Sequence, residues 1–197
     1  MKDSSHQLGR RIFITGGAGF IGSHLVAKLA KQNHEILGVD SFSNYYSIEL
    51  KGLREDKILK PLGVSIRKSD LAEEMQLRKV FEEFRPDCVF HLAAQAIVKE
   101  SYRNPRVTWD TNLIGTVNVL DSLNDLKKPC VVILITSDKC YENVEWEWGY
   151  RENDRLGGKD VYSASKACAE LVYHSYFNSF LKNQENKLSV TTRAGNV

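Results

Sequence analysis

Short apolar runs alternate along this chain with longer stretches in which apolar residues recur every three or four positions. The runs are Arg11–Thr15, Glu35–Val39, Val64–Arg67, Asp87–His91, Cys130–Thr136 and Leu188–Arg193, several of them rich in Val and Ile. None alternates cleanly between apolar and polar, which is how a strand covered on both faces reads. Between them, Ile21, Leu25 and Leu29 repeat at helical spacing, and a charged helical pattern covers Leu71–Phe84. A third pattern runs from Pro105 to Leu126 with Leu113, Val117 and Leu120 on one face. A fourth, from Asp160 to Leu181, carries two apolar rows, Cys168/Leu171/Val172 and Ala169/Tyr173/Tyr176/Phe180. A helix apolar on two sides calls for two partners, its own sheet and a second subunit. That predicts a homodimer through the long helices. Ser41–Tyr46 and Glu142–Lys159, the latter with Trp146 and Trp148, read as loops. Strand–helix alternation predicts a parallel α/β sheet, doubly wound with helices on both faces.

Composition adds limits. The 197 residues fit one domain, or one domain and part of another. The balance of 27 Lys+Arg against 25 Asp+Glu leaves +2, which gives a nucleic-acid partner no support. The longest apolar run, Val131–Ile135, is too short to cross a bilayer, and the polar start lacks an apolar signal region. The expectation is a soluble cytoplasmic protein with no membrane partner. Cys88, Cys130, Cys140 and Cys168 form no CxxC pair, which fits reduced structural thiols. His6, His24, His34, His91 and His174 show no ligand spacing, so no metal is expected. The chain stops at Ala194-Gly195-Asn196-Val197, directly after a strand pattern; the expectation is the front part of a longer protein.

The first strand pattern leads into Thr15-Gly16-Gly17-Ala18-Gly19-Phe20-Ile21-Gly22 and then a helix. Glycines allow the tight turn and let backbone approach a pyrophosphate, and the helix start offers free N–H groups. Asp40 closes the second strand pattern, where a carboxylate meets an adenosine ribose. Ser41 and Phe42 follow it, with no adjacent cation for a 2′-phosphate, which favours NAD over NADP.

Tyr162-Ser163-Ala164-Ser165-Lys166 opens the last long helix and sets Tyr162 and Lys166 on one face. A nearby ammonium is expected to lower the phenol's pKa so that the hydroxyl exchanges a proton with an alcohol. The fifth strand delivers Ser137-Asp138-Lys139 at its carboxyl end, where open α/β sheets bind ligands. A hydroxyl, an acid and an amine there offer an orienting group, a general acid and a base.

These pieces together resemble the extended short-chain dehydrogenases/reductases of the nucleotide-sugar epimerase/dehydratase group. The matching segments are TGGAGFIGSHL, VDSFSN, the SDL at Ser69–Leu71, HLAAQ at His91–Gln95, DTNLIGT at Asp110–Thr116, YSASK and RAGNV. Thr136 to Val172 is similar, more narrowly, to the corresponding block of CDP-glucose 4,6-dehydratases, while SFSNYYSIELKGLRED looks like uronate epimerases. The resemblance implies a Rossmann-like NAD-binding domain over residues 1–197, continued in the family by a small carboxyl-terminal substrate domain. It implies that Gly16, Gly19, Phe20, Ile21 and Gly22 hold the pyrophosphate and Asp40 the ribose. Asp70 and Leu71 would contact the adenine side, and Leu92, Ala93 and Ala94 would wall the cofactor, with Tyr162 and Lys166 also touching it. Ser137 would share the sugar 4-OH with Tyr162, Asp138 would be the dehydratase acid, Lys139 the base, and Asn196 would lie near the substrate diphosphate. The implied reaction is 4,6-dehydration of a nucleotide sugar, CDP-glucose favoured. The rivals are a nucleotide-sugar 4-epimerase, which needs Tyr162 and Ser137 but no acid/base pair, and a non-catalytic NAD-binding fragment.

Overall fold

The computed structural model describes residues 9–196. Its strands are β1 (Arg11–Thr15), β2 (Glu35–Asp40), β3 (Ile66–Lys68), β4 (Cys88–His91), β5 (Cys130–Ser137) and β6 (Lys187–Ala194). They form one six-stranded sheet in the order β3-β2-β1-β4-β5-β6, and every pairing is parallel. The helices are α1 (Phe20–Ala30), α2 (Ile48–Arg54), α3 (Glu74–Phe84), α4 (Val98–Arg103), α5 (Pro105–Trp109), α6 (Gly115–Asp125) and α7 (Val161–Ser179). The chain order reverses direction between β1 and β4. A crevice therefore opens there, outside the carboxyl ends of the strands.

Alternation along β1 feeds both faces. Phe13 joins a core with α3, α6 and α7, through Leu77, Val80, Phe81, Val119, Leu120, Leu123 and Tyr173. Its ring meets Phe81 edge-on at 5.1 Å. Ile12 and Ile14 point the other way, to Ala18, Val26, Leu59 and Ile66. Cover is complete on the first face only. On the second, β6 pairs Leu188 with Val131 and Val190 with Ile133, and Leu188 and Val190 stay exposed.

Three of the predicted segments, and one region left unassigned, differ in the structure. β3 lies later than the Val64–Arg67 run: Val64 closes the preceding turn by donating to the Leu59 carbonyl. The Leu71–Phe84 pattern begins as a turn, capped by Asp70 Oδ1 on the Ala72 N–H, and becomes helix only at Glu74. The third pattern is helical throughout but carries a wide π turn over Asp110–Ile114. The region after the Ser41–Tyr46 loop, unassigned from sequence, is α2, which continues through a π turn at Glu55–Leu59 and a 3-10 turn at Lys60–Leu62. Its apolar signal is weak because Ile48, Leu50 and Leu53 all face solvent. No helix among the described residues is long and apolar enough to cross a membrane.

Candidate functional site

The crevice is a cavity of about 590 Å³. One wall is the turn between β1 and α1. Gly16 sits at φ +73, and a Cβ on it would meet Ala93 N at 3.0 Å. A Cβ on Gly22 would stand 2.1 Å from the Gly16 carbonyl. Bare backbone is therefore required at both, and Gly16, Gly19, Phe20, Ile21 and Gly22 all line the cavity. No side chain caps the amino terminus of α1 at Gly19. Its free N–H groups face the cavity mouth, the arrangement that receives a pyrophosphate.

The opposite wall is the segment after β4, with Leu92, Ala93 and Ala94 on the cavity. Thr15 fixes it to β1: its Oγ1 accepts from the Leu92 N–H at 3.1 Å and the Ala93 N–H at 3.0 Å. His91 stands behind this seam, Nδ1 at 2.9 Å from Thr15 Oγ1 and Nε2 at 3.0 Å from Thr116 Oγ1. Burial drives its pKa down to about 3, so the ring is a neutral structural bridge. His6 lies outside the described residues. Asn112, buried in the π turn, ties this wall to α7: it accepts from Gln95 N at 2.7 Å and donates to Ser165 Oγ at 2.9 Å. Nothing in the sequence singles out Asn112 beyond its place inside the DTNLIGT segment.

Asp40 ends β2 at the adenosine side, with Asp70 and Leu71 after β3 beside it on the cavity. Its carboxylate accepts from Ala18 N at Oδ2 (3.2 Å) and from Phe42 N at Oδ1 (2.8 Å). It also carries a cation that the sequence did not announce. Lys51 Nζ, from α2, lies 3.0 Å from Oδ1, with both side chains buried. The absence of a cation next to Asp40 in sequence is thus not its absence in space.

At the far end lie Ser137, Lys139, Tyr162 and Lys166, with Ala194 at the end of β6 and Gly195 and Asn196 after it. Asp160 caps α7, accepting from the Ser163 N–H at 3.0 Å, and so aims the first turn of the helix at β5. Tyr162 and Lys166 are both buried there. Burial raises the Tyr162 pKa, the Ser137 hydroxyl opposes the rise, and the Asp138 and Asp160 carboxylates add to it. This corrects the expectation of a lowered tyrosine: desolvation prevails over the ammonium. Lys166 itself falls to about 8, from burial first, with Cys140 and Glu170 pulling the other way and no hydrogen bond among its influences. A buried amine without a protein partner, facing this cavity, suits the hydroxyls of a dinucleotide ribose.

Ser137 joins the polar groups. Its hydroxyl donates to Asp138 Oδ1 at 2.9 Å and accepts from the Lys139 N–H at 3.3 Å. Asp138 is at the rim, its side chain 44% exposed, and it is not among the cavity-lining residues. Lys139 is 48% exposed and 3.5 Å from Asp138 Oδ2. Behind these groups, Glu170 is fully buried. It accepts from Thr136 Oγ1, from Thr191 Oγ1 at 3.2 Å and from Arg193 at 3.1 Å, clamping α7, β5 and β6. Cys130 and Cys140 are buried, with thiols pushed up to about 12 and about 11 by desolvation.

Fold and crevice together define a dinucleotide-binding α/β domain with a Tyr–Lys pair. Comparison with known proteins narrows this. The family model described as GDP-mannose 4,6 dehydratase matches residues 13–186. The CDP-glucose 4,6-dehydratase of Salmonella typhimurium is 39% identical, over all of this chain and 55% of the relative. UDP-glucuronate 4-epimerase 3 of Arabidopsis thaliana is 31% identical over 85% of this chain and 39% of the relative. Among solved structures, the UDP-glucose 4-epimerase of Thermus thermophilus in complex with NAD superposes with a TM-score of 0.75 at 29% identity, covering 92% of this chain and 54% of that one. The chain belongs to the GDP-mannose 4,6-dehydratase family, within the NAD-dependent epimerase/dehydratase branch of the short-chain dehydrogenases/reductases. It spans about half the length of these dehydratase and UDP-glucose epimerase relatives.

Proposed function

We propose that the full-length protein is an NAD-dependent nucleotide-sugar 4,6-dehydratase, with CDP-glucose its favoured substrate. The observation that carries this reading is the position of Ser137. Its hydroxyl lines the same cavity as the Tyr162 phenol, whose pKa it holds down against burial, and donates to the Asp138 carboxylate at 2.9 Å. An epimerase needs the serine and the tyrosine but not the acid.

The glycine turn, Asp40 and Lys166 would hold NAD, which when bound supplies the hydride acceptor for C4 of the sugar and the hydride donor for C6. Tyr162 receives the proton of the 4-OH. Because burial keeps the phenol protonated, its own proton passes on to Ser137 and then to Asp138. Asp138 delivers a proton to the 6-OH, which departs as water. The 4-ketone acidifies C5, whose proton is removed before the water leaves and restored afterwards. Lys139, half exposed and paired with Asp138, serves that exchange by polarising a water. The sum is loss of one water and a 4-keto-6-deoxy sugar. Asn196, at the cavity edge beyond β6, would face the substrate diphosphate. A homodimer through α6 and α7 fits the exposed Leu171 on α7 and is tested by light scattering.

Incubation of the full-length protein with CDP-glucose and NAD, followed by proton NMR, tests the reading. A new C6 methyl signal is expected, absent in Tyr162→Phe. An accumulating C4 epimer would support the 4-epimerase instead, the reading favoured by the resemblance of the Ser41–Asp56 stretch to uronate epimerases. In Lys139→Met, C5 deuterium wash-in should slow while the first hydride transfer persists.

A further inference from the structure

The groups assigned to the two halves of the proposed reaction stand on different elements. Tyr162 and Lys166, which serve oxidation at C4, are on α7, while Asp138 and Lys139, which serve loss of water, are on the 3-10 turn Asp138–Cys140 after β5. A single 3-10 turn has poor hydrogen-bond geometry and holds itself weakly. Burial does not fix the two side chains either, since both are nearly half exposed. Among the described residues, their side-chain bonds run to Ser137 and to each other. The turn is therefore set by what holds its two ends. One end is Ser137, in β5; the other is Tyr141.

Arg193 reaches Tyr141 from β6. Its guanidinium carbon lies 4.8 Å from the Tyr141 ring centre, and that ring stacks on Tyr150 at 5.0 Å. One guanidinium nitrogen donates to the Glu152 carbonyl at 2.9 Å, and the other to Glu170 Oε2 at 3.1 Å. The Glu142 and Gly157 N–H groups close the same loop on the Arg155 and Cys140 carbonyls at 2.8 and 2.9 Å. Arg193 is 12% exposed at its side chain, and Glu170, one helical turn after Lys166 on α7, is fully buried. Contacts thus run without a break from α7 through Glu170 and Arg193 to Tyr141, and so to the turn that carries Asp138. A guanidinium suits this place: its flat face covers an aromatic ring while its edge donates to a carboxylate and a carbonyl at once. The first turn of α7, with Tyr162, is set from its other end by Asp160 on the Ser163 N–H.

We propose that Arg193 is a positioning residue: through Tyr141 it holds the Asp138–Lys139 turn in place relative to Tyr162, so that loss of water depends on it and oxidation at C4 does not. The inference rests on the dehydratase reading above.

Stopped-flow mixing of the full-length protein, loaded with NAD, with CDP-glucose separates the two halves. Oxidation at C4 is the rise of NADH absorbance; elimination is its fall, matched by the 6-deoxy product in NMR. Arg193→Lys keeps a charge beside Glu170 and removes the flat face against Tyr141. A misplacement of about 1 Å costs on the order of 100-fold, so elimination should slow about tenfold or more. C4 oxidation, KM, and NAD affinity by calorimetric titration should stay within about threefold of the parent, and NADH should accumulate. Tyr141→Leu leaves the Arg193–Glu170 pair intact; it should act alike, and it covers the case in which Arg193→Lys fails to fold. Tyr141→Phe, which keeps the ring, should recover much of the rate lost in Tyr141→Leu. Because the two residues act through one contact, the double variant should be within about threefold of the slower single one. Equal loss of oxidation, NAD affinity and elimination would make Arg193 a merely structural residue and overturn the proposal. Unchanged elimination, or effects of the two changes that multiply in full, would overturn it as well, with the dehydratase reading left standing. A parent protein that forms no 6-deoxy product removes that reading and this inference with it.

Discussion

Lys166 makes a prediction in which stability and catalysis pull apart. Burial holds its ammonium at about 8 against an ordinary 10.5. Lowering a lysine pKa by one corresponds to about 1.4 kcal/mol, so keeping the charge inside the folded protein costs roughly 3 kcal/mol near neutrality. Lys166→Met removes the charge and keeps the stem, so the variant should be more stable than the parent by up to about 3 kcal/mol at pH 7. For a domain of this size that is a rise of about 6–12 °C in Tm. The sign with pH is fixed by linkage. Below about pH 8 the lysine is charged both folded and unfolded, and the penalty is full. Between about 8 and 10.5 the unfolded chain binds the extra proton, so the parent gains relative to the variant. Above 10.5 the difference is gone. Urea denaturation of both proteins at pH 7 and at pH 10, without cofactor, measures this. A variant less stable at pH 7, or a gap unchanged at pH 10, would refute the buried-charge argument.

Other groups give sharper single readings. Glu170→Leu leaves Arg193 without its buried partner and should destabilise by about 3–5 kcal/mol in urea, whereas a surface acid of α3 changed likewise should cost under about 0.5 kcal/mol. Gly22→Ala drives a methyl against the Gly16 carbonyl and should weaken NAD binding by at least about tenfold in the same calorimetric titration; unchanged affinity would show that the turn gives way freely. His91, neutral in the fold at a pKa of about 3 against 6.5 unfolded, contributes stability that is full above 6.5 and lost as pH falls toward 3. His91→Gln should therefore flatten the acid limb of the stability curve by about one proton, read from denaturation midpoints across that range.

Much of this molecule could be read before its structure. Most of the six strands are legible because they are short, apolar and flanked by turn chemistry, with β3 displaced because it holds only one apolar residue, and the glycine turn is legible from its spacing. The groups that escaped did so for definite reasons. α2 shows its apolar residues to solvent, so no periodicity pointed to Lys51, and its ion pair with Asp40 depends on how the loop between them folds back. Glu170 reads as a surface acid on a long helix, yet it is buried because Arg193 arrives from β6 to meet it. The order Ser137-Asp138-Lys139 locates these groups at a strand end but says nothing of direction: the 3-10 turn at Asp138–Cys140 sends the aspartate to the rim and leaves Ser137 on the cavity beside Tyr162. The direction of the Tyr162 pKa is not legible because sequence supplies the neighbouring ammonium and not the depth of burial.

CDP-glucose carrying deuterium at C4 puts the proposed reaction to its most direct test. If the protein dehydrates with internal hydride return, NMR of the product will find the label in the C6 methyl group. Label retained at C4, with the hydroxyl there inverted, would contradict the account and make the protein an epimerase.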